Sequence, residues 1–125
     1  MTHVLLVAAG GALGSVLRYF TGLAALRLMG PNFPWGTLTV NIAGGLFIGV
    51  FAELIAHKFG ATAELRLFLI TGALGGFTTF SAFSLDAVTL IERGAPVLAG
   101  VYIGASVLLS VFAVFAGLAL VRAMV

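Results

Sequence analysis

The sequence predicts an all-α membrane protein with four transmembrane helices, the third of them broken near residues 75–79. Three observations carry this. Of 125 residues, 62% are hydrophobic and only 8% charged, whereas a soluble domain carries roughly 25% charged residues. The mean hydropathy is +1.24, which leaves too few polar groups to cover a water-facing surface. A spanning helix takes about 20 apolar residues, so residues 1–125 accommodate one four-helix transmembrane domain and no soluble one. The lipid bilayer is therefore a partner. Nucleic acid is not an expected one, because the six Lys and Arg residues form no basic cluster. The absence of cysteine excludes disulfides and thiolate metal sites.

The first span is expected over about residues 4–28. Met1-Thr2-His3 lacks the basic region of a secretory leader, so the apolar run that follows reads as a span. Gly10 and Gly14 form a small face that lets another helix approach. Arg18 lies deep enough to be costly in lipid, and faces either a watery vestibule or snorkels to an interface. Residues 29–35 form a loop ended by Pro31, Pro34 and the interfacial anchor Trp35.

The second span is expected over about 36–57. Thr37 and Asn41 share a helix face that Gly45 and Gly49 continue. The Asn41 amide offers two donors and an acceptor; an isolated asparagine in a span ordinarily serves as interhelical glue. Glu53 and His57 lie near the far end. A second loop at 58–64 contains Lys58, Gly60 and Glu64.

The third span is expected over about 65–91. Its stretch 71–84 carries Gly72, Gly75 and Gly76, then Thr78, Thr79, Phe80, Ser81, Phe83 and Ser84. Gly75-Gly76 beside Thr78-Thr79 is where the helix is expected to break, because glycine tolerates backbone angles other residues avoid. Carbonyls freed at membrane depth must be buried in protein or line a polar site. Phe80 and Phe83 share a face once the helix resumes. A break, paired phenyls and hydroxyls together point to a site for a small ion. Glycine and Pro96 in the third loop, residues 92–96, end this helix and start the next.

The fourth span is expected over about 97–121. Tyr102, Ser106 and Ser110 recur every four residues and form one polar track. Each span also carries a glycine pair four apart: Gly10/Gly14, Gly45/Gly49, Gly72/Gly76 and Gly100/Gly104. All four pairs are expected to pack a compact bundle. Four thin helices leave little interior for an aqueous path, so a pore calls for a second copy.

Charge gives almost no orientation. The side holding the termini has Lys58, Arg66 and Arg122; the other has Arg27 and Arg93, with Arg18 leaning toward it. Without a clear excess the positive-inside rule fixes nothing. Insertion in both directions is expected, allowing an antiparallel dual-topology homodimer. Reporter fusions at the C-terminus that all report one side of the membrane would overturn this.

Three motifs then carry a resemblance that spans the whole chain: Gly10-x-x-x-Gly14-x-x-x-Arg18-Tyr19, Gly36-Thr37-Leu38-x-x-Asn41-x-x-Gly44, and Gly72-x-x-Gly75-Gly76-x-Thr78-Thr79-Phe80-Ser81-x-Phe83-Ser84. They resemble the CrcB/Fluc fluoride channels. The third is highly specific and the first alone is weak. One departure is Ala82, where the family often has threonine. The resemblance implies an antiparallel homodimer in the bacterial plasma (inner) membrane that exports fluoride passively and selectively. It implies a structural sodium ion at the dimer centre, held by the backbone carbonyls of Gly75 and Thr78. It also implies that Asn41, Phe80, Phe83, the nearby hydroxyls of Thr79 and Ser81, and the track Tyr102, Ser106 and Ser110 line the fluoride pathway, with Arg18 at a vestibule.

These residue types suit the task. Fluoride loses water hydrogen bonds on entry, and neutral amide and hydroxyl donors replace them. A fixed cationic ring would hold the anion too tightly to release it. Phenyl edges carry positive potential, and phenyl bulk narrows a path against chloride. One rival is a small multidrug-type exporter, which couples protons through a carboxylate in the first span; this span has none. A non-transporting membrane assembly subunit would explain the glycine faces but not the broken segment. An enzyme is not expected, since no nucleophile–base set or metal-ligand cluster is within reach.

Overall fold

Six α-helices and one π-helical stretch build the protein in the computed structural model, which describes residues 1–57 and 62–124. They are α1 (Thr2–Met29), α2 (Trp35–His57), α3 (Ala63–Arg66), the π-helical Leu67–Leu74, α4 (Gly75–Phe77), α5 (Ser81–Glu92) and α6 (Pro96–Met124). The segment Ala63–Glu92 counts as one span, and the four spans are long and apolar enough to cross a bilayer. This is a multi-pass membrane protein. Of the expected second loop, Lys58 and Gly60 lie outside the described residues, while Glu64 is already helical.

Glycine decides which helices touch. α1 lies against the first half of the third span. A methyl group at Gly10 would stand 2.5 Å from the Phe68 carbonyl oxygen, and one at Gly76 would stand 2.6 Å from that of Gly11. α2 packs on α6 in the same way, where a methyl group at Gly45 would stand 2.7 Å from the Ser110 carbonyl oxygen. Lipid gives helices no hydrophobic reason to associate, so contact rests on such close backbone approach. α5 also packs on α6, burying Phe83, Ala87 and Leu90 against Ala99 and Tyr102. Gly94, at φ 81°, turns the chain between them, and Pro96 opens α6 as expected.

One expectation needs correction. The fourth glycine pair packs nothing within the described residues: a methyl group at Gly100 or Gly104 meets no neighbouring atom within 4 Å. α6 shows the surroundings much of its apolar surface, including Val97, Leu108, Phe112 and Phe115. The break falls inside the expected 75–79, at its threonines and not at its glycines. Gly75 is helical, with φ −61° and ψ −37°, and the helix opens at Thr78, where ψ is 162°. Gly76 is small because Gly11 presses on it, not because its backbone is unusual.

Charged groups gather where the spans end. Glu53 near the end of α2 accepts from Arg122 Nη2 of α6 at 3.2 Å and also meets His57. His3 of α1 stands 3.7 Å from Glu64 of α3. The start of α1 and the ends of α2 and α6 therefore share one end of the bundle, as four alternating spans require.

Candidate functional site

The break in the third span is held open by two side chains from other helices. In an α-helix each carbonyl accepts the amide four residues on. Here the Thr79 amide donates instead to Asn41 Oδ1 at 2.8 Å, while Asn41 Nδ2 donates to the Thr79 carbonyl at 3.0 Å. Gly75 thereby loses its helical donor. The Ala82 amide donates to Thr79 Oγ1 at 3.1 Å, which caps the first turn of α5 and takes the helical donor of Thr78. The Gly76 carbonyl accepts Arg18 Nε at 3.1 Å. Leu74, by contrast, accepts both the amide and the hydroxyl of Thr78.

A cavity of about 460 Å³ opens beside the break. Asn41, Thr78, Thr79, Phe80, Phe83, Ser106 and Ser110 line it together with Gly75 and apolar residues of α2, α6 and the π-helical stretch. The Ser106 and Ser110 hydroxyls are buried and have no hydrogen-bond partner among the described residues. Hydroxyls in membrane helices commonly bond the carbonyl four residues back; Thr21, Thr78 and Ser84 do so here. The two serines of the track do not.

The other expected residues sort differently. Phe80 is 79% exposed and projects from the chain, its ring centroid 5.5 Å from that of the buried Phe83. Ser81 stands at the surface, its hydroxyl 3.3 Å from Thr79 Oγ1, and does not line the cavity. Tyr102 is completely buried behind Phe83, centroids 5.3 Å apart, and its hydroxyl donates to Asp86 Oδ2 at 3.1 Å. Asp86 opens on a second cavity of about 340 Å³, lined also by Thr37, Trp35 and Arg93. Phe83 and Tyr102 thus stand between the two spaces. Arg18 lines a third cavity of about 510 Å³, which meets Thr79 from the other side of the break. It pairs with no carboxylate among the described residues; its Nε bonds backbone.

One family model, described as CrcB-like protein, Camphor Resistance (CrcB), matches residues 5–118. The chain belongs to the CrcB-like family. Among CrcB-like relatives, a Rhizobium etli protein named fluoride-specific ion channel FluC is 70% identical over 125 residues, covering 100% of both chains. One of the same name from Rhizobium meliloti is 65% identical, again over 100% of both. Fluoride-specific ion channel FluC 1 of Nitrobacter hamburgensis is 56% identical over 97% of this chain and 96% of its own.

Sequence reasoning assigned no partner to two carboxylates of this CrcB-like chain. The Asp86 carboxylate meets Tyr102, and Glu53 meets Arg122. Each pair joins different helices at no helical spacing, so no periodicity exposes it. A carboxylate inside a span is itself the available signal, since such a charge must find a partner.

Proposed function

We propose that this chain is a fluoride-selective passive channel that lets fluoride leave the cytoplasm. It is not an enzyme. The observation that carries the reading is the pair of buried, unpartnered hydroxyls, Ser106 and Ser110, facing a cavity shared with Asn41 and the two phenyls. A buried polar group without a partner costs about 1–3 kcal/mol. Retaining two in one cavity makes sense where a passing ligand satisfies them. The site offers donors without a fixed cation: two serine hydroxyls and the second N–H of Asn41. A small anion that accepts hydrogen bonds fits this, and weak neutral donors allow it to leave.

The pathway in this reading runs along Ser110 and Ser106 toward Phe83, passing Asn41, Phe80 and Thr79. Phe83 narrows it, and Tyr102 behind Phe83 and Ser81 beside Thr79 complete the polar route. Arg18 stands beside a vestibule. Fluoride names on relatives of such high identity support the choice of anion. The test is fluoride efflux from liposomes holding only this protein, with chloride as control. We expect fast fluoride efflux and no chloride leak. Ser106→Ala and Ser110→Ala are expected to cut efflux at least tenfold while leaving thermal stability equal or higher, because each removes an unpaired group. A wild-type protein that folds but passes no fluoride overturns the reading.

The working unit in this proposal is an antiparallel dual-topology homodimer in a bacterial inner membrane. The exposure of Phe80 and of the α6 face supports a second copy. A sodium ion at its centre would be held by the Gly75 and Thr78 carbonyls. These fit a hard cation, because both have lost their helical donors and oxygen ligands suit it. The ion would supply a fixed positive charge that joins the two copies and offsets nearby anions. Since the ligands are backbone, Thr78→Ala should keep sodium-dependent thermal stabilisation; its loss would count against this pair of carbonyls.

A further inference from the structure

The geometry points to Arg18 as a positioning residue that works through Nε as a hydrogen-bond donor to the Gly76 carbonyl, and not through its charge. A helix that opens at Thr78 deprives Gly76 of the amide four residues on, that of Phe80. Arg18 Nε replaces that donor at 3.1 Å. Asn41 does the equivalent on the other lip of the break, taking both backbone groups of Thr79. The opening is thus clamped from two helices, α1 on one lip and α2 on the other.

The clamp is built into how α1 packs. Gly11, Gly14 and Arg18 fall three and four residues apart, on one face. A methyl group at Gly76 would collide with the Gly11 backbone, so α1 and α4 lie in contact there. Helical side chains lean toward the N-terminus of their helix. Arg18 reaches back along α1 to the glycine that Gly11 already touches. Its position is fixed at one atom, Nε, which leaves the rest of the guanidinium to the third cavity. A residue there only to attract an anion would not need its Nε bound to backbone.

Three substitutions separate donor from charge. Glutamine carries its amide nitrogen at the same distance along the side chain as Arg Nε, without charge. Lysine keeps the charge but has a carbon at that place. Methionine matches the reach of glutamine and has neither. Hydrogen exchange over peptides covering residues 75–82 reads the break directly and needs no fluoride. We expect Arg18→Gln to exchange close to the wild-type rate, and Arg18→Lys and Arg18→Met to exchange at least tenfold faster. Fluoride efflux, resting on the channel reading above, should follow the same order, with Arg18→Gln passing at least fivefold more than Arg18→Lys. If Arg18→Lys does not fold, Arg18→Gln against Arg18→Met decides the matter. Lysine outperforming glutamine overturns the proposal in favour of charge. Equal exchange in the folded variants overturns it as well. A wild-type protein without efflux would sink the channel reading while leaving the exchange result readable.

Discussion

Asn41→Ala is expected to reduce fluoride efflux at least tenfold and to lower thermal stability, the largest functional effect of any single side chain here. The amide makes two bonds to one residue, Thr79, and alanine leaves the Thr79 amide and carbonyl both unpaired. Interhelical hydrogen bonds in membranes average only about 0.6 kcal/mol, because the separated helices find other partners. Thr79 has no such alternative while the helix stays open, so the full penalty for unpaired buried groups applies, about 1–3 kcal/mol each. Asn41→Asp preserves the acceptor for the Thr79 amide but sets a carboxylate against the Thr79 carbonyl. It should conduct even less than Asn41→Ala. Efflux from liposomes and thermal unfolding in detergent measure the two effects. Wild-type values for Asn41→Ala would remove Asn41 from both the clamp and the pathway.

The largest stability effect is expected at Gly14→Ala. The added methyl group runs into the Ala73 carbonyl oxygen and lies 2.8 Å from the Phe77 amide nitrogen. Both are backbone, so no side chain can turn aside, and α1 must move off the third span. Overpacking of this sort costs about 1–3 kcal/mol where neighbours adjust, and a backbone obstacle places it at the upper end. Because Arg18 follows one turn later on the same face, the displacement also pulls Nε from Gly76. Loss of folded protein, or a large fall in unfolding temperature, is the expected result; unchanged stability would show that α1 does not press on Ala73. Gly100→Ala and Gly104→Ala are the contrast. Neither methyl group meets a neighbour within the described chain, and alanine favours helix by up to about 1 kcal/mol. A loss of stability at either position would report that α6 is covered by another chain.

The two glycine sets show where reading the sequence stops. Spacing alone makes Gly10/Gly14 and Gly100/Gly104 look alike, yet a methyl group at the first pair meets a backbone and one at the second meets nothing within 4 Å among the described residues. The period of a helix says which residues share a face, but not what that face is turned toward. Gly75 and Gly76 show the same limit, since glycine permits a break without requiring one. The chain opens two residues later because Asn41 and Thr79 Oγ1 capture the amides that would have continued the helix.

What the sequence determined by itself was the number of spans, their approximate limits, the turns at Gly94 and Pro96, and the four-residue spacing of Tyr102, Ser106 and Ser110. These follow from hydropathy, backbone preference and helical period, all of which act within a few residues. Only the tertiary structure decided that Asn41 bonds Thr79, that Arg18 bonds Gly76, and that Tyr102 meets Asp86 while Ser106 and Ser110 stay unpaired. In a bilayer a polar side chain must find a partner in protein, and that partner is fixed by which helices lie side by side, not by distance along the chain.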